Sequence, residues 1–156
     1  MDIVMHPIGW IRTPWSSPEG APIQPSRTTA HGRVEVDAAY AEGLEDIEGF
    51  SHLIVIYAFH CSSGYQLRVR PFLDDKKHGL FATRHPCRPN PIGLSVVRLL
   101  GREGNVLHIE GADMLDGTPL LDLKPYVPEF DARADARAGW HRQDGKAPVG
   151  ADPGTT

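Results

Sequence analysis

Cysteine is nearly missing from this chain: Cys61 and Cys87 are the only two among 156 residues. They form no C-x-x-C pair, which argues against a disulfide framework and suits a reducing cytoplasm. Long apolar runs are missing too. The longest, residues 53–59, falls far short of the ~20 residues that a membrane-spanning helix needs. The N-terminus, Met1-Asp-Ile-Val-Met-His-Pro7, lacks the basic and apolar regions of a signal peptide. Positive charge is not in excess: the net charge is −4, so no global basic field advertises nucleic acid. There is no P-loop signature, no G-x-G-x-x-G after a strand and no G-x-S-x-G elbow. A standard phosphate cradle, a dinucleotide fold and a hydrolase nucleophile are therefore unsupported. Eight histidines are present, but none has partners at zinc-site spacing. His78, His85 and Cys87 are merely close in sequence, and His52 and His60 sit too far apart on one strand, so no metal is expected.

Glycine and proline are plentiful, 16 and 14 residues, which predicts many turns and short elements. A hydrophobic content of 40% in 156 residues suffices for one domain with a real core. Strands are expected over residues 4–12, 32–36, 52–60, 66–70, 79–83, 94–100, 106–110 and 120–126. Residues 53–59 are so continuously apolar that their strand is expected to be buried on both faces. Arg102-Glu-Gly-Asn105 reads as a hairpin turn. Residues 37–44 suit one or two helical turns, and a short helix is expected after Asp131. Residues 15–29 read as a long ordered loop, and residues 146–156, small and polar, as disordered. The pattern predicts a mainly all-β fold, a barrel or sandwich with short helices and long loops, not alternating βαβ units.

One stretch concentrates unusual chemistry: Gly79-Leu-Phe-Ala-Thr-Arg-His-Pro-Cys-Arg-Pro-Asn-Pro-Ile-Gly-Leu-Ser95. Pro86, Pro89 and Pro91 fix φ, remove backbone donors and restrict the residue before each. The segment is expected to be stiff and extended, with Arg84 and Arg88 forming a clamp for an anion or carboxylate. The same arginines equally suit ion pairs with Asp74, Asp113 or Asp116. Asp116, Gly117, Thr118 and Pro119 form a second special loop. It is either a simple turn or a rigid site offering a carboxylate and backbone groups. Cys61 and Cys87 lack a thiolate signature, and Trp10, Trp15, Tyr57 and Phe59 read as core.

Three segments, Phe50-Ser-His-Leu53, Phe81-Ala-Thr-Arg-His-Pro-Cys-Arg-Pro-Asn-Pro-Ile-Gly-Leu-Ser95 and Asp116-Gly-Thr-Pro-Leu-Leu-Asp-Leu-Lys-Pro-Tyr126, closely resemble the TsaA-like family. Its characterised bacterial members are TrmO-type tRNA methyltransferases. The resemblance covers residues 4–130. It implies a small single-sheeted β-barrel that binds S-adenosylmethionine, a homodimer with the cofactor near the subunit interface, and methyl transfer to N6 of threonylcarbamoyladenosine beside the tRNA anticodon. The expected layout is a cofactor-binding barrel over residues 1–130 and a partly disordered extension over 131–156. Carried over by motif, cofactor contacts fall on Pro22, Ile23 and Gln24, on His60 and Cys61, on Arg84 and Leu94, and on Asp116, Gly117, Thr118 and Pro119. Ile23 stands where the family usually has Arg, with Arg27 nearby. The base that takes the N6 proton is left open among Asp74, Asp116 and His60. The acidic balance and short extension also leave room for a small-molecule substrate, or for a module that binds the cofactor without turnover.

Overall fold

The computed structural model describes residues 1–17, 21, 29–72 and 74–141. Six strands close into an antiparallel barrel: β1 (Gly9–Arg12), β2 (His31–Val36), β3 (His52–Ala58), β6 (Ile92–Glu103), β7 (Val106–Glu110) and β8 (Thr118–Pro125). The order around the ring is β1-β2-β7-β6-β3-β8, and β8 pairs back onto β1. Alternation supplies the core. Ile11, Val34, Leu53, Val55, Val97, Leu107, Ile109 and Leu120 point inward and are buried, each such side chain contributing about 1.5–3 kcal/mol. The barrel expected from the sequence is present.

Two register shifts bend the wall. Between β3 and β8 the pairing steps from Ile56–Asp122 to Tyr57–Leu120, which leaves Leu121 as the extra residue. Between β6 and β7 it steps from Leu99–Ile109 to Gly101–His108. Such bulges raise local twist and let a 12-residue strand, β6, curve around a small barrel. The β6–β7 hairpin turns at Gly104, whose φ of 61° requires a residue tolerant of the left-handed region.

Several local expectations are corrected. The first strand is shorter than residues 4–12, starting at Gly9. The apolar run 52–58 is buried on its inner face only; Ile54, Ile56 and Ala58 are half-exposed on the outer wall. Residues 79–83 are not a strand. His78–Gly79 pair with Arg68–Val69 as a two-stranded ribbon, β5 with β4, and Leu80–Ala82 form a 3-10 turn. The expected helix after Asp131 is instead one turn ending there, α1 (Pro128–Asp131), with Pro128 at its first position. Residues 38–44 are a 3-10 helix, as the short helical signal suggested.

The chain divides into two compact units. One is the barrel, residues 1–64 and 86–126; the other, as far as it is described, joins residues 65–85 to 127–141. Within the second unit, the Trp140 indole N–H donates to the Ala82 carbonyl at 2.7 Å. The Trp140 ring also stacks on His78 at 4.6 Å, so the C-terminal segment is anchored onto the β4–β5 ribbon. No helix among the described residues is long and apolar enough to cross a membrane.

Candidate functional site at one rim of the barrel

In a closed antiparallel ring, strand ends alternate. The C-terminal ends of β1, β3 and β7 and the N-terminal ends of β2, β6 and β8 therefore share one rim. The connections that open there are residues 13–30, 59–91 and 111–117, which carry or adjoin the cofactor contacts assigned by motif; the Phe50-Ser-His-Leu53 motif lies instead where the β2–β3 connection enters β3, at the opposite rim. Pro22, Ile23 and Gln24 belong to the first and lie outside the described residues. His60 and Cys61 follow β3 directly and are exposed. Asn90 and Pro91 lead into β6, and Asp116 and Gly117 into β8. The opposite rim is closed by structural contacts. There Arg102 of β6 donates to the carbonyls of Gly104 (2.7 Å) and Leu44 (3.0 Å) and to the Glu48 carboxylate (2.8 Å).

Near the motif rim, the outer wall carries a groove of about 300 Å³ between the N-terminal arm and the sheet, lined by Met5, Ala58, Pro91, Ile92, Pro119 and Leu121 among others. The proline-rich segment is pinned here. The Phe59 N–H donates to the Pro91 carbonyl at 2.7 Å, and Ile92 pairs with Ala58. Leu121, the bulge residue, lines the groove. Leu94 lies two residues along β6 on the same outer face, opposite Ile56 and 48% exposed.

The second loop is stitched to the first connection. Asp116 Oδ1 accepts the Thr13 N–H at 3.1 Å, and the Asp116 N–H donates to the Trp15 carbonyl at 2.7 Å. Thr13 Oγ1 donates to the Met114 carbonyl (2.6 Å), and the Trp15 indole N–H to the Ala112 carbonyl (2.7 Å). Gly117 adopts φ 80°, and the buried Thr118 hydroxyl donates to the Leu115 carbonyl at 2.7 Å. Asp116 thus braces a loop as well as presenting a carboxylate. These bonds hold the loop in place before any ligand arrives, which is what a binding site on a turn requires.

A buried polar chain escaped the sequence reading. Ser95, 1% exposed, donates from Oγ to Asp113 Oδ1 at 2.8 Å, and Tyr57 Oη lies 3.0 Å from the same Oγ. The serine has one proton and spends it on the carboxylate, so the tyrosine donates to the serine oxygen. Tyr57 had read as plain core and Asp113 only as an ion-pair partner. The available signal was Gly93. A Cβ there would sit 2.3 Å from Tyr57 Cε2, so the glycine exists to let the ring lie across β6.

Arg84 belongs to the second unit, so the stiff segment read from the sequence is divided. Residues 79–85 go with the ribbon and residues 86–95 with the barrel. In the second unit Asp74 Oδ2 lies 2.7 Å from His78 Nε2. That hydrogen bond is the largest cause holding the Asp74 carboxyl below its ordinary value, with the backbone N–H groups of Lys76 and Asp75 adding to it against desolvation. A carboxylate stabilised in this way is a weaker proton acceptor. Among the described residues, no three His, Cys, Asp or Glu side chains gather so as to hold a metal ion, and both cysteines are free thiols.

A family profile described as the tRNA-methyltransferase O N-terminal domain matches residues 10–132. The chain belongs to that family. A Pyrococcus abyssi relative named "Probable S-adenosyl-L-methionine-binding protein" is 55% identical over 139 residues, covering 88% of this chain and 76% of its own. The human tRNA (adenine(37)-N6)-methyltransferase is 34% identical over 139 residues, covering 84% of this chain and 32% of its own. The crystal structure of TrmO from Pseudomonas aeruginosa superposes with a TM-score of 0.77 at 41% identity, covering 91% of this chain and 64% of that one. The chain therefore spans just under two thirds of that TrmO chain and about a third of the human protein. Family membership accounts for the barrel and for the motif-bearing rim together.

Proposed function

We propose that this chain is an S-adenosylmethionine-dependent tRNA methyltransferase acting on N6 of threonylcarbamoyladenosine beside the anticodon, as a cytoplasmic homodimer. Residues 1–130 carry the cofactor site, and residues 131–156 extend from it. The observation that carries this reading is the convergence of the three motif connections on one barrel rim beside an apolar groove. Names borne by family members support it: S-adenosyl-L-methionine-binding protein and tRNA (adenine(37)-N6)-methyltransferase.

The residues present fit the cofactor. The groove offers proline and aliphatic walls for a flat apolar body, and a volume of about 300 Å³ sits at the small end of ligand pockets. Asp116 Oδ1 is taken by Thr13, which leaves Oδ2 for a hydroxyl or ammonium group. Gly117 exposes backbone without a side chain in the way. When bound, the cofactor supplies an electrophilic methyl group on a sulfonium. The chain's own part is to bind and orient: His60 and Cys61 at the end of β3, Leu94 on the wall, and Asp116, Gly117, Thr118 and Pro119 at the turn. These residues would hold the cofactor so that its methyl lies in line with the substrate nitrogen, and a base would take the nitrogen's proton as the methyl passed from sulfur to nitrogen. Of the three candidate bases, His60 is exposed at the rim, Asp116 is half-engaged by Thr13, and Asp74 is engaged by His78. Positioning of this kind supplies much of the acceleration in such displacements.

The homodimer is supported by the outer wall. Ile92, Leu94, Val96 and Leu100 of β6 are 36–48% exposed and run beside the half-exposed Ile54, Ile56 and Ala58 of β3. An apolar wall of this kind marks an interaction site, and a second copy would cover it isologously.

The test is methyl transfer from S-adenosylmethionine carrying a labelled methyl to unmodified and threonylcarbamoylated tRNA transcripts. Label in the threonylcarbamoylated tRNA alone, released as N6-methylated nucleoside on digestion, is the expected result. Cofactor binding with no transfer to either tRNA refutes the reading and favours a small-molecule methyltransferase or a non-catalytic binding module.

A further inference from the structure

We propose that residues 65–85 form the platform by which this protein grips single-stranded RNA, an inference that rests on the tRNA reading above and names the element that serves it. The charge of this segment runs against the rest of the chain. Beside Arg84, which the motif assigns to the cofactor, it carries four cations, Arg68, Arg70, Lys76 and Lys77, against two carboxylates, Asp74 and Asp75, in a chain whose total is −4. One of those carboxylates, Asp74, is already engaged internally by His78 at 2.7 Å.

The fold turns these charges outward. β4 (Arg68–Val69) pairs with β5 (His78–Gly79) as a ribbon. Val69 is 8% exposed and faces inward, so the period-2 alternation puts Arg68 and Arg70 together on the outer side. Both are exposed, as are Lys76 and Lys77 in the connection that leads into β5. Large apolar side chains stand among the cations with little cover: Tyr65 is 54% exposed and Phe72 86%.

Cations alternating with bare aromatic rings suit one ligand class. Guanidinium and ammonium groups take phosphates, and each exposed ring offers a face on which an unpaired base can stack, an arrangement that tolerates any sequence. A duplex supplies the phosphates but keeps its base faces stacked and paired, so the matching occupant is a single-stranded loop.

The experiment is fluorescence anisotropy on the full chain with an unmodified anticodon stem-loop RNA, and with the same strand annealed to its complement, over a range of salt. The stem-loop is expected to bind more tightly than the duplex. Arg68→Ser with Arg70→Ser should lower the slope of log affinity against log salt by about 1.4, at about 0.7 for each single-strand phosphate that is no longer neutralised. Lys76→Ser with Lys77→Ser should do the same. Phe72→Ala should weaken the stem-loop roughly 5- to 150-fold and leave the duplex unchanged. Calorimetric titration with S-adenosylmethionine, expected to be unaltered in every variant, shows that each is folded. If wild-type protein methylates tRNA while all three variants keep wild-type RNA affinity and salt slope, the platform is overturned and the methyltransferase reading stands. If wild-type protein binds no RNA, both fall. Polyglutamate competing as strongly as the stem-loop would also overturn the platform, because carboxylates satisfy the cations but give Tyr65 and Phe72 nothing to stack on.

Discussion

Gly93→Ala is the substitution whose consequence the structure defines most sharply. The added Cβ would lie 2.3 Å from Tyr57 Cε2, 2.4 Å from Tyr57 Cζ and 2.9 Å from Phe59 Cζ. To restore ordinary packing distance the tyrosine ring must withdraw by about 1 Å, and it has little room. Tyr57 is 6% exposed, meets Phe59 edge-on at 5.4 Å, and is tethered through its hydroxyl to Ser95 at 3.0 Å. Overpacking of this kind costs about 1–3 kcal/mol, and breaking the hydroxyl hydrogen bond about 0.5–1.5 kcal/mol more, so a destabilisation of about 2–4 kcal/mol is expected. For a domain of this size that lowers Tm by roughly 5–15 °C. Urea and thermal unfolding followed by circular dichroism give both quantities. The cause is isolated by repeating Gly93→Ala in a Tyr57→Leu background, where the side chain lacks Cε2 and Cζ. There the alanine should cost at least about 1 kcal/mol less, within the range seen for residues that touch. A variant within about 0.5 kcal/mol of wild type, or an equal cost in both backgrounds, would refute the account of Gly93 as clearance for Tyr57.

Four further outcomes are expected. Ser95→Ala removes the link between Tyr57 and Asp113 and should cost about 1–3 kcal/mol, measured by the same unfolding curves. Asp74→Asn removes a carboxylate whose folded-state pKa lies below its ordinary 3.8. Its stabilisation is full above that value and is lost as pH falls through the lower folded value. Wild type and variant should therefore differ in stability at neutral pH and converge in acid; a difference that grows on acidification contradicts the assignment. Val96→Glu places a charge in the centre of the exposed β6 wall and should turn a dimer into a monomer in sedimentation, while a wild type that is already monomeric at micromolar concentration defeats the dimer proposal outright. Arg84→Ala should weaken S-adenosylmethionine binding in calorimetry without unfolding the protein, and unchanged affinity rejects a cofactor role for that guanidinium.

The barrel was legible because each wall strand carries its own signature. Val34 and Val36 alternate with Arg33 and Glu35, and Leu107 and Ile109 with His108, so inner and outer faces could be told apart residue by residue. The errors fell where that signature failed. His52–Ala58 is apolar at nearly every position, which read as burial on both faces. The inner residues pack in the core, and the outer ones stand half-open on the wall. Residues 79–83 failed for a different reason. Gly79 pairs in the ribbon and the Leu80 N–H still donates to the Leu67 carbonyl, but the Thr83 hydroxyl and N–H both return to the Leu80 carbonyl, a local closure that no alternation pattern reports. The run after Asp131 alternates Ala with charge and favours helix by propensity, yet Pro128 sets only a single turn. Short helices depend on packing more than on propensity.

The site was legible as segments but not as a place. Asp116 and Gly117, the proline-rich run and His60-Cys61 lie far apart in the chain, and nothing in their composition says that they meet. What joins them is parity. Each intervening stretch of barrel contains an even number of wall passages, so the 13–30, 59–91 and 111–117 connections return to the same rim, while the opposite rim receives the β2–β3 connection with Phe50, the β6–β7 hairpin and the Arg102 contacts. Adding or deleting one wall strand would send the 111–117 loop to the far end with its residues unchanged. The buried chain Tyr57–Ser95–Asp113 shows the same dependence at smaller scale. Ser95 faces inward as Val97 and Gly93 do, and its hydroxyl meets Asp113 only because the connection leaving β7 at Glu110 is held at the rim where β6 begins. The closed ring of strands thus brings connections that are separated in sequence onto one rim.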